Sequence, residues 1–445
     1  MSPEMKNREE TLSIEERIEQ IIESNDTMAE ILAGDPFQKL LQREKELAGS
    51  DEVQIGGIFC VDGRLPSLFS RLLNTWRSAG SYVPKVGALL GTALEHAAKE
   101  KDRFLLELVT SHYSGKTGHG CGWAKATLQQ YFDPNPEEVR DFARKVAGGT
   151  LNVITQKFNE FCKADGVTPQ ERVGVQIEID TDDFGLTLVA PENRGVEMQV
   201  ESLNMARLAI HHKSEILALD KSRFKDKAGI YLEKFDKTES FLEFYGDIVD
   251  LTDCLLNTKN SLVKEVDAFI REYFSDLVPA QIKGLKFMLV RNIAFEFLTG
   301  LNEVEGEPTH SFVEHDERAM VFSPRGKRFG RFLTNLQLFG TTPSNTEEAI
   351  SAILMEIGLL EAHEGQKPHI LFLSEPVDEK VWIELGEKNE LRDLVISKQA
   401  QLFIDLHQNI EIKRLVKEGK IVIVPLIVDA DTAKVLERPD YTAYL

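Results

Sequence analysis

Cysteine is scarce in this chain: four in 445 residues, Cys60, Cys121, Cys162 and Cys254. So few cannot make a disulfide framework, which excludes the small stapled secreted class and suits a reducing cytosol. No apolar run approaches the length of a membrane-crossing helix. The first twenty residues, 1–20, are charged and polar, without the apolar centre of a secretory leader. Positive charge is in deficit, 52 Lys+Arg against 73 Asp+Glu, a net charge of -21. That balance argues against nucleic acid or an anionic membrane as partner. What is present is an ordinary 42% hydrophobic fraction, enough to bury the cores of two or three domains. The same charge balance suits a soluble, well-solvated enzyme.

In chain order, Ser13 and Glu16 form a capping box ahead of Ile18, Ile21 and Ile22. A second helix opens at Asp35-Pro36, so residues 1–50 read as an N-terminal helical arm. Residues 55–59 read as a buried strand, 65–76 as an amphipathic helix, and Arg77-Ser78-Ala79-Gly80-Ser81 as a small-residue turn. A helix is expected over 86–100 and a strand over 104–110, which ends in Ser111-His112. A glycine-bearing loop, 113–120, then leads to a helix opened by Cys121-Gly122. A long helix over 136–162, a strand over 173–179 and a return strand over 186–189 complete an α/β core at 51–195. Residues 196–310 read as its helical extension, with helices over 198–209, 228–244 and 282–297, so that 51–310 makes one domain.

Residues 311–445 repeat the first unit in outline. Val321-Phe322-Ser323-Pro324-Arg325-Gly326-Lys327 lies over Ile58-Phe59-Cys60-Val61-Asp62-Gly63-Arg64, with Phe322 on Phe59. Residues 332–339 then lie over the expected helix end at 69–76. Strands over 369–374 and 420–429 follow in the matching order. In this copy Ser323, Arg325 and Lys327 replace Cys60, Asp62 and Arg64, so it cannot hold a metal as a thiolate site does. It is expected to be a degenerate copy.

The chemistry-bearing residues gather where strands end and helices begin. In an open α/β sheet that edge is where ligands bind. Cys60 ends one strand, His112 ends another, and Cys121 sits at a helix N-terminus that favours thiolate over thiol. Together they make a Cys2His set with one tetrahedral position open, which suits zinc. Asp62 and Arg64 share a face with Cys60 in an extended segment, where the guanidinium can hold the carboxylate. The loop also carries His119, which stands as an alternative ligand or as a proton shuttle. Cys162 and Cys254 read as core residues. His211 and His212 are adjacent on a helix and diverge too far to make a metal pair. His369 reads as a strand start.

Cys60-x-Asp62-x-Arg64, then Arg77-x-Ala79-Gly80, then His112 at a strand end and Cys121-Gly122 at a helix start resembles the β-class carbonic anhydrases. The longer interval between His112 and Cys121, the helical arm and the degenerate copy resemble the carboxysome shell subclass. The resemblance implies a β-carbonic-anhydrase-like mixed sheet with flanking helices, duplicated in the chain. It implies a zinc ion (Zn2+) on Cys60, His112 and Cys121, an Asp62–Arg64 catalytic dyad, and a pocket shaped by Ala79 and Gly80. The implied reaction is reversible hydration of carbon dioxide to bicarbonate and a proton by zinc-bound hydroxide. Hydrolysis of carbon disulfide or carbonyl sulfide on the same scaffold, and a non-enzymatic zinc-stabilised assembly protein, stand as alternatives. A homodimer or larger homo-oligomer is implied, in the cytoplasm or inside a bacterial microcompartment as shell or cargo protein.

Overall fold

The computed structural model describes residues 13–60, 74–78, 104–114, 120–165, 172–181, 185–191, 201–219, 238–299, 319–322, 337–339, 350, 354, 368–385, 390–430, 432 and 434–444. Two compact units emerge, a central one (Asp35–Glu314) and a terminal one (Met1–Gly34 with His315–Leu445). The expected arm therefore divides. Helix α1 (Ile14–Ala33) belongs to the terminal unit and α2 (Asp35–Ala48) to the central one. The capping box is formed: the Glu16 amide donates to Ser13 Oγ at 3.2 Å and the Ser13 amide donates to the Glu16 carboxylate at 2.8 Å.

In the central unit, β1 (Val53–Cys60), β2 (Asn74–Ser78) and β3 (Phe104–Tyr113) are parallel, with β1 between the other two. After helices α3 (Gly122–Gln129) and α4 (Pro136–Asp165), β4 (Arg172–Asp180) adds parallel to β3. β5 (Leu186–Val189) and β6 (Ser202–Asn204) then return antiparallel, giving the order β2-β1-β3-β4-β5-β6. β1 and β3 are buried almost end to end, as strands covered on both faces must be. On one face, Ile58, Leu105 and Val109 pack against Ala147, Ile154 and Phe158 of α4. The closeness of that packing is set by glycine: a Cβ on Gly174 would lie 2.3 Å from Leu151 Cδ1.

Helices α5 (Met205–His211), α6 (Lys213–Leu219), α7 (Thr238–Asn257), α8 (Ser261–Tyr273) and α9 (Pro279–Thr299) follow. α9 is buried nearly all round, with apolar residues on every face. Its Gly284 lies against Val53 and Ile55, on the sheet face opposite α4. Its polar groups are used inside the protein. Gln281 Nε2 donates to the Leu105 carbonyl at 3.0 Å, and the Leu186 amide donates to Asn292 Oδ1 at 2.8 Å. Arg291 pairs with the buried Glu44 of α2, which also accepts from the Tyr245 hydroxyl. Burial first, and the Glu44 carboxylate second, hold the Tyr245 phenol far above its ordinary range.

In the terminal unit, β7 (Ala319–Phe322), β8 (Gln337–Phe339) and β9 (His369–Val377) are parallel. Helices α10 (Glu379–Leu385), α11 (Glu390–Gln408) and α12 (Ile410–Lys417) precede β10 (Ile421–Asp429), which is parallel to β9, and β11 (Val435–Glu437), which is antiparallel to β10. The order is β8-β7-β9-β10-β11. Ile18 of α1 joins Ile370, Phe372, Val424, Leu426 and Val428 in one core, with Ile14, Ile21 and Ile22 around it. Pro425 stands inside β10, where a missing N–H would break a central ladder. β11 pairs only with Ile427 and Val428, so among the described residues Pro425 is bordered by β9 alone.

Five expectations are corrected. Residues 74–76, expected to end a helix, begin β2, and 337–339 form β8 instead of a helix end. A period of apolar residues shared by short strands and helices misled there; pairing with β1 and β7 decides it. Residues 202–204, expected to be helical, form β6 on the sheet edge. Cys254 on α7 is half-buried and not a full core residue. The overlay of the two regions is also one residue out of register: Phe322 pairs with Phe339, whereas Trp76 pairs with Ile58 and not with Phe59. The expected helix over 86–100 lies outside the described residues.

Candidate metal centre

The site is assembled by three segment ends. Cys60 is the last residue of β1, and His112 is the penultimate residue of the neighbouring parallel strand β3. β3 runs three residues past the expected end, which carries His112 on the strand itself. Cys121 is the N-cap of α3, with extended backbone at φ -61 and ψ 113, and its carbonyl accepts the first helical bond from Lys125. The Cys60 and Cys121 sulfurs stand 4.0 Å apart, too far for a disulfide. The three ligand atoms of Cys60, His112 and Cys121 all lie within 4.8 Å of one another, and the residues are only 3%, 1% and 1% exposed.

These dimensions fit a metal. Two thiolates on tetrahedral zinc, with Zn–S near 2.3 Å, stand about 3.8 Å apart. Sulfur and imidazole donors favour zinc over calcium or magnesium. The N-terminus of α3 supplies positive potential at Cys121, which helps to keep that sulfur ionised. Three protein ligands leave one tetrahedral position for another ligand, the arrangement of catalytic zinc sites. The central unit thus carries a Cys–His–Cys set that could hold a metal ion.

Of the remaining sequence candidates, Asp62, Arg64, Ala79, Gly80 and His119 lie outside the described residues. Arg77 is in β2, with its backbone paired to Phe59. His212 contacts Glu215 and Glu265 at 3.2 and 3.0 Å through its two ring nitrogens, and His211 packs edge-on against it. The two histidines therefore do not act as a metal pair. His369 begins β9, as expected, and is buried.

Sequence reasoning missed the polar groups around the metal ligands. Arg140 and Arg144, one turn apart on α4, both grip the buried Glu178 of β4 through Nε and Nη2, at 2.6–3.1 Å. The Arg140 guanidinium also lies 3.6 Å from the centre of the Tyr113 ring. Burial works against its charge, but the Glu178 bonds outweigh that and hold its pKa above the ordinary arginine value. Ser111, beside His112, is 2% exposed. The available signals were the i, i+4 arginine pair and the polar period Gly174, Gln176, Glu178 of an alternating strand.

Deeper in the sheet, Glu107 is buried on β3 between its ladder partners Gly56 and Gly174. A Cβ on Gly56 would lie 2.0 Å from Glu107 Oε2, so only glycine leaves room for this carboxyl. Desolvation pushes it up to about 8, so it is largely protonated at neutral pH.

Among the described residues, no helix is long and apolar enough to cross a membrane. In comparisons with known proteins, no family model matches the chain, and no curated protein matches it.

Proposed function

We propose that the chain is a zinc-dependent carbonic anhydrase of the β-class type, hydrating carbon dioxide reversibly to bicarbonate and a proton. One observation carries the reading: Cys60, distant in sequence from His112 and Cys121, meets them within 4.8 Å at the carboxyl edge of a sheet, in the order of the β-class motif. Zinc bound there would polarise water and so supply a nucleophile at neutral pH. Cys60, His112 and Cys121 would hold the ion and leave its fourth position open. Asp62 would accept a hydrogen bond from the attacking oxygen and aim it at the substrate carbon. Arg64 would hold Asp62 by a charge-assisted bond and so keep that carboxylate from closing the site. Ala79 and Gly80 would shape the pocket, and His119 would move the released proton towards buffer.

The proposal includes a duplicated fold with a degenerate terminal copy. Its support is that β8-β7-β9-β10-β11 and β2-β1-β3-β4-β5 share strand order and directions. It also includes a homo-oligomer in the bacterial cytoplasm, with a microcompartment as its setting.

Stopped-flow hydration of carbon dioxide on the purified chain, with zinc measured alongside, tests the reading. Equimolar zinc and hydration well above the buffer rate are expected. Equimolar zinc without hydration, under reducing conditions at mildly alkaline pH, would overturn it.

A further inference from the structure

Three side chains on the α4 face of the central sheet fall in one row at the metal edge. Val109 and Ile58 pack against α4, and they are ladder partners. Two residues further along each strand come Ser111 and Cys60, on the same face. Ser111 is in turn the ladder partner of Glu178 on β4. Ser111 and Glu178 therefore lie about 5 Å apart across neighbouring strands, and Cys60 ends the next strand on the same face.

The row has two features that the metal ligands do not use. Ser111 Oγ is buried and has no hydrogen-bond partner among the described residues. A hydroxyl left that way costs roughly 1–3 kcal/mol unless something accepts its proton. Beside it, two guanidiniums share the Glu178 carboxylate, with Glu137 a further acidic neighbour of Arg140. Both arginines use Nε and Nη2 on Glu178, so their Nη1 groups stand outside that pair. Their side chains are 25% and 26% exposed, so solutes can reach them. Guanidinium donors held on the strand next to a hydroxyl donor match a small planar oxyanion.

We propose that Ser111, Arg140 and Arg144 form an anion subsite one strand away from the metal ligands, built for a planar oxyanion of the bicarbonate class. Ser111 donates its hydroxyl proton to one oxygen, and the arginines donate N–H groups to the others. The choice of bicarbonate rests on the carbonic anhydrase reading; the subsite itself does not need turnover to be seen.

Nitrate is a planar, unreactive probe. Its binding to the zinc-loaded full chain is measured by calorimetry at constant ionic strength, with zinc content and thermal midpoint recorded for each variant. Saturable binding is expected, weakened at least tenfold in both Ser111→Ala and Arg140→Gln, with zinc content unchanged. In Arg140→Gln, Arg144 still holds Glu178, and Ser111→Ala removes only a buried hydroxyl, so both variants should fold. No saturable binding in the parent chain, or unchanged affinity in either variant, would overturn the subsite; the latter would mean nitrate sits on the metal alone. The two proposals fail separately. A chain that binds nitrate through these residues without hydrating carbon dioxide keeps the subsite and loses the enzyme reading. A chain that hydrates carbon dioxide while both variants bind nitrate normally does the reverse.

Discussion

The sheets of the central and terminal units match in order and direction over five strands, yet differ at the edge where chemistry would occur. In the central unit β1 ends in Cys60, β3 carries His112 next to its end, and Cys121 joins them. In the terminal unit no such set can form: no cysteine follows Cys254 in the chain, and the histidine of β9, His369, stands at the opposite end of its strand. The middles differ as well. β3 buries Glu107 between two glycines, whereas His369-Ile-Leu-Phe-Leu-Ser374 is apolar through its centre. The terminal sheet buries its own polar groups, His369, Glu375 and Asp429, nearer its strand ends. The two thiols and the mid-strand carboxyl of the central sheet are additions that this strand order does not require.

The largest effect should come from the edge that sets the two units apart. Cys60→Ser, His112→Ala and Cys121→Ser should each drop zinc from equimolar to background and abolish hydration, as read by elemental analysis and stopped flow. Zinc that persists in all three would place the metal elsewhere and break the contrast. Next comes Asp62→Asn, which should retain zinc and lose roughly a hundredfold in rate. Full activity there would remove the dyad from the reading.

The terminal unit should respond in stability and not in metal. Ile18 is 1% exposed against β9 and β10. Ile18→Ala should destabilise that unit by about 2–4 kcal/mol in denaturant titration, with zinc content unchanged. A loss of zinc would show that the two regions are not separable in this way.

A further test concerns Glu107. Its folded pKa is raised to about 8 from 4.5, so the folded chain holds a proton that the unfolded chain releases. Stability should therefore fall as pH rises from 4.5 to 8 and level off above. Glu107→Gln should flatten that slope and gain most at alkaline pH. A parent chain and variant with superimposable pH–stability curves would show that the Glu107 carboxyl is not held protonated.

Much of the framework was legible because it follows from local chemistry. The capping box at Ser13, the helix opened by Cys121-Gly122, and the apolar runs that became β1, β3, β9 and β10 all declare themselves in composition and period. The errors fell where local pattern is ambiguous. Asn74–Ser78 and Gln337–Phe339 are short segments whose conformation is set by pairing with β1 and β7. Ser202–Asn204 is a strand only because β5 lies beside it.

By itself, then, the sequence determined which residues could bind a soft metal and which region could not. Donor chemistry belongs to side-chain types, and the terminal region has no thiol to offer. Only the tertiary structure decided that Cys60, His112 and Cys121 meet, because parallel pairing of β1 with β3 brings together ends that are distant along the chain. It alone set Glu178 beneath two arginines and Ser111 in a row with Cys60, since ladder register and strand face arise from long-range packing that no local spacing records.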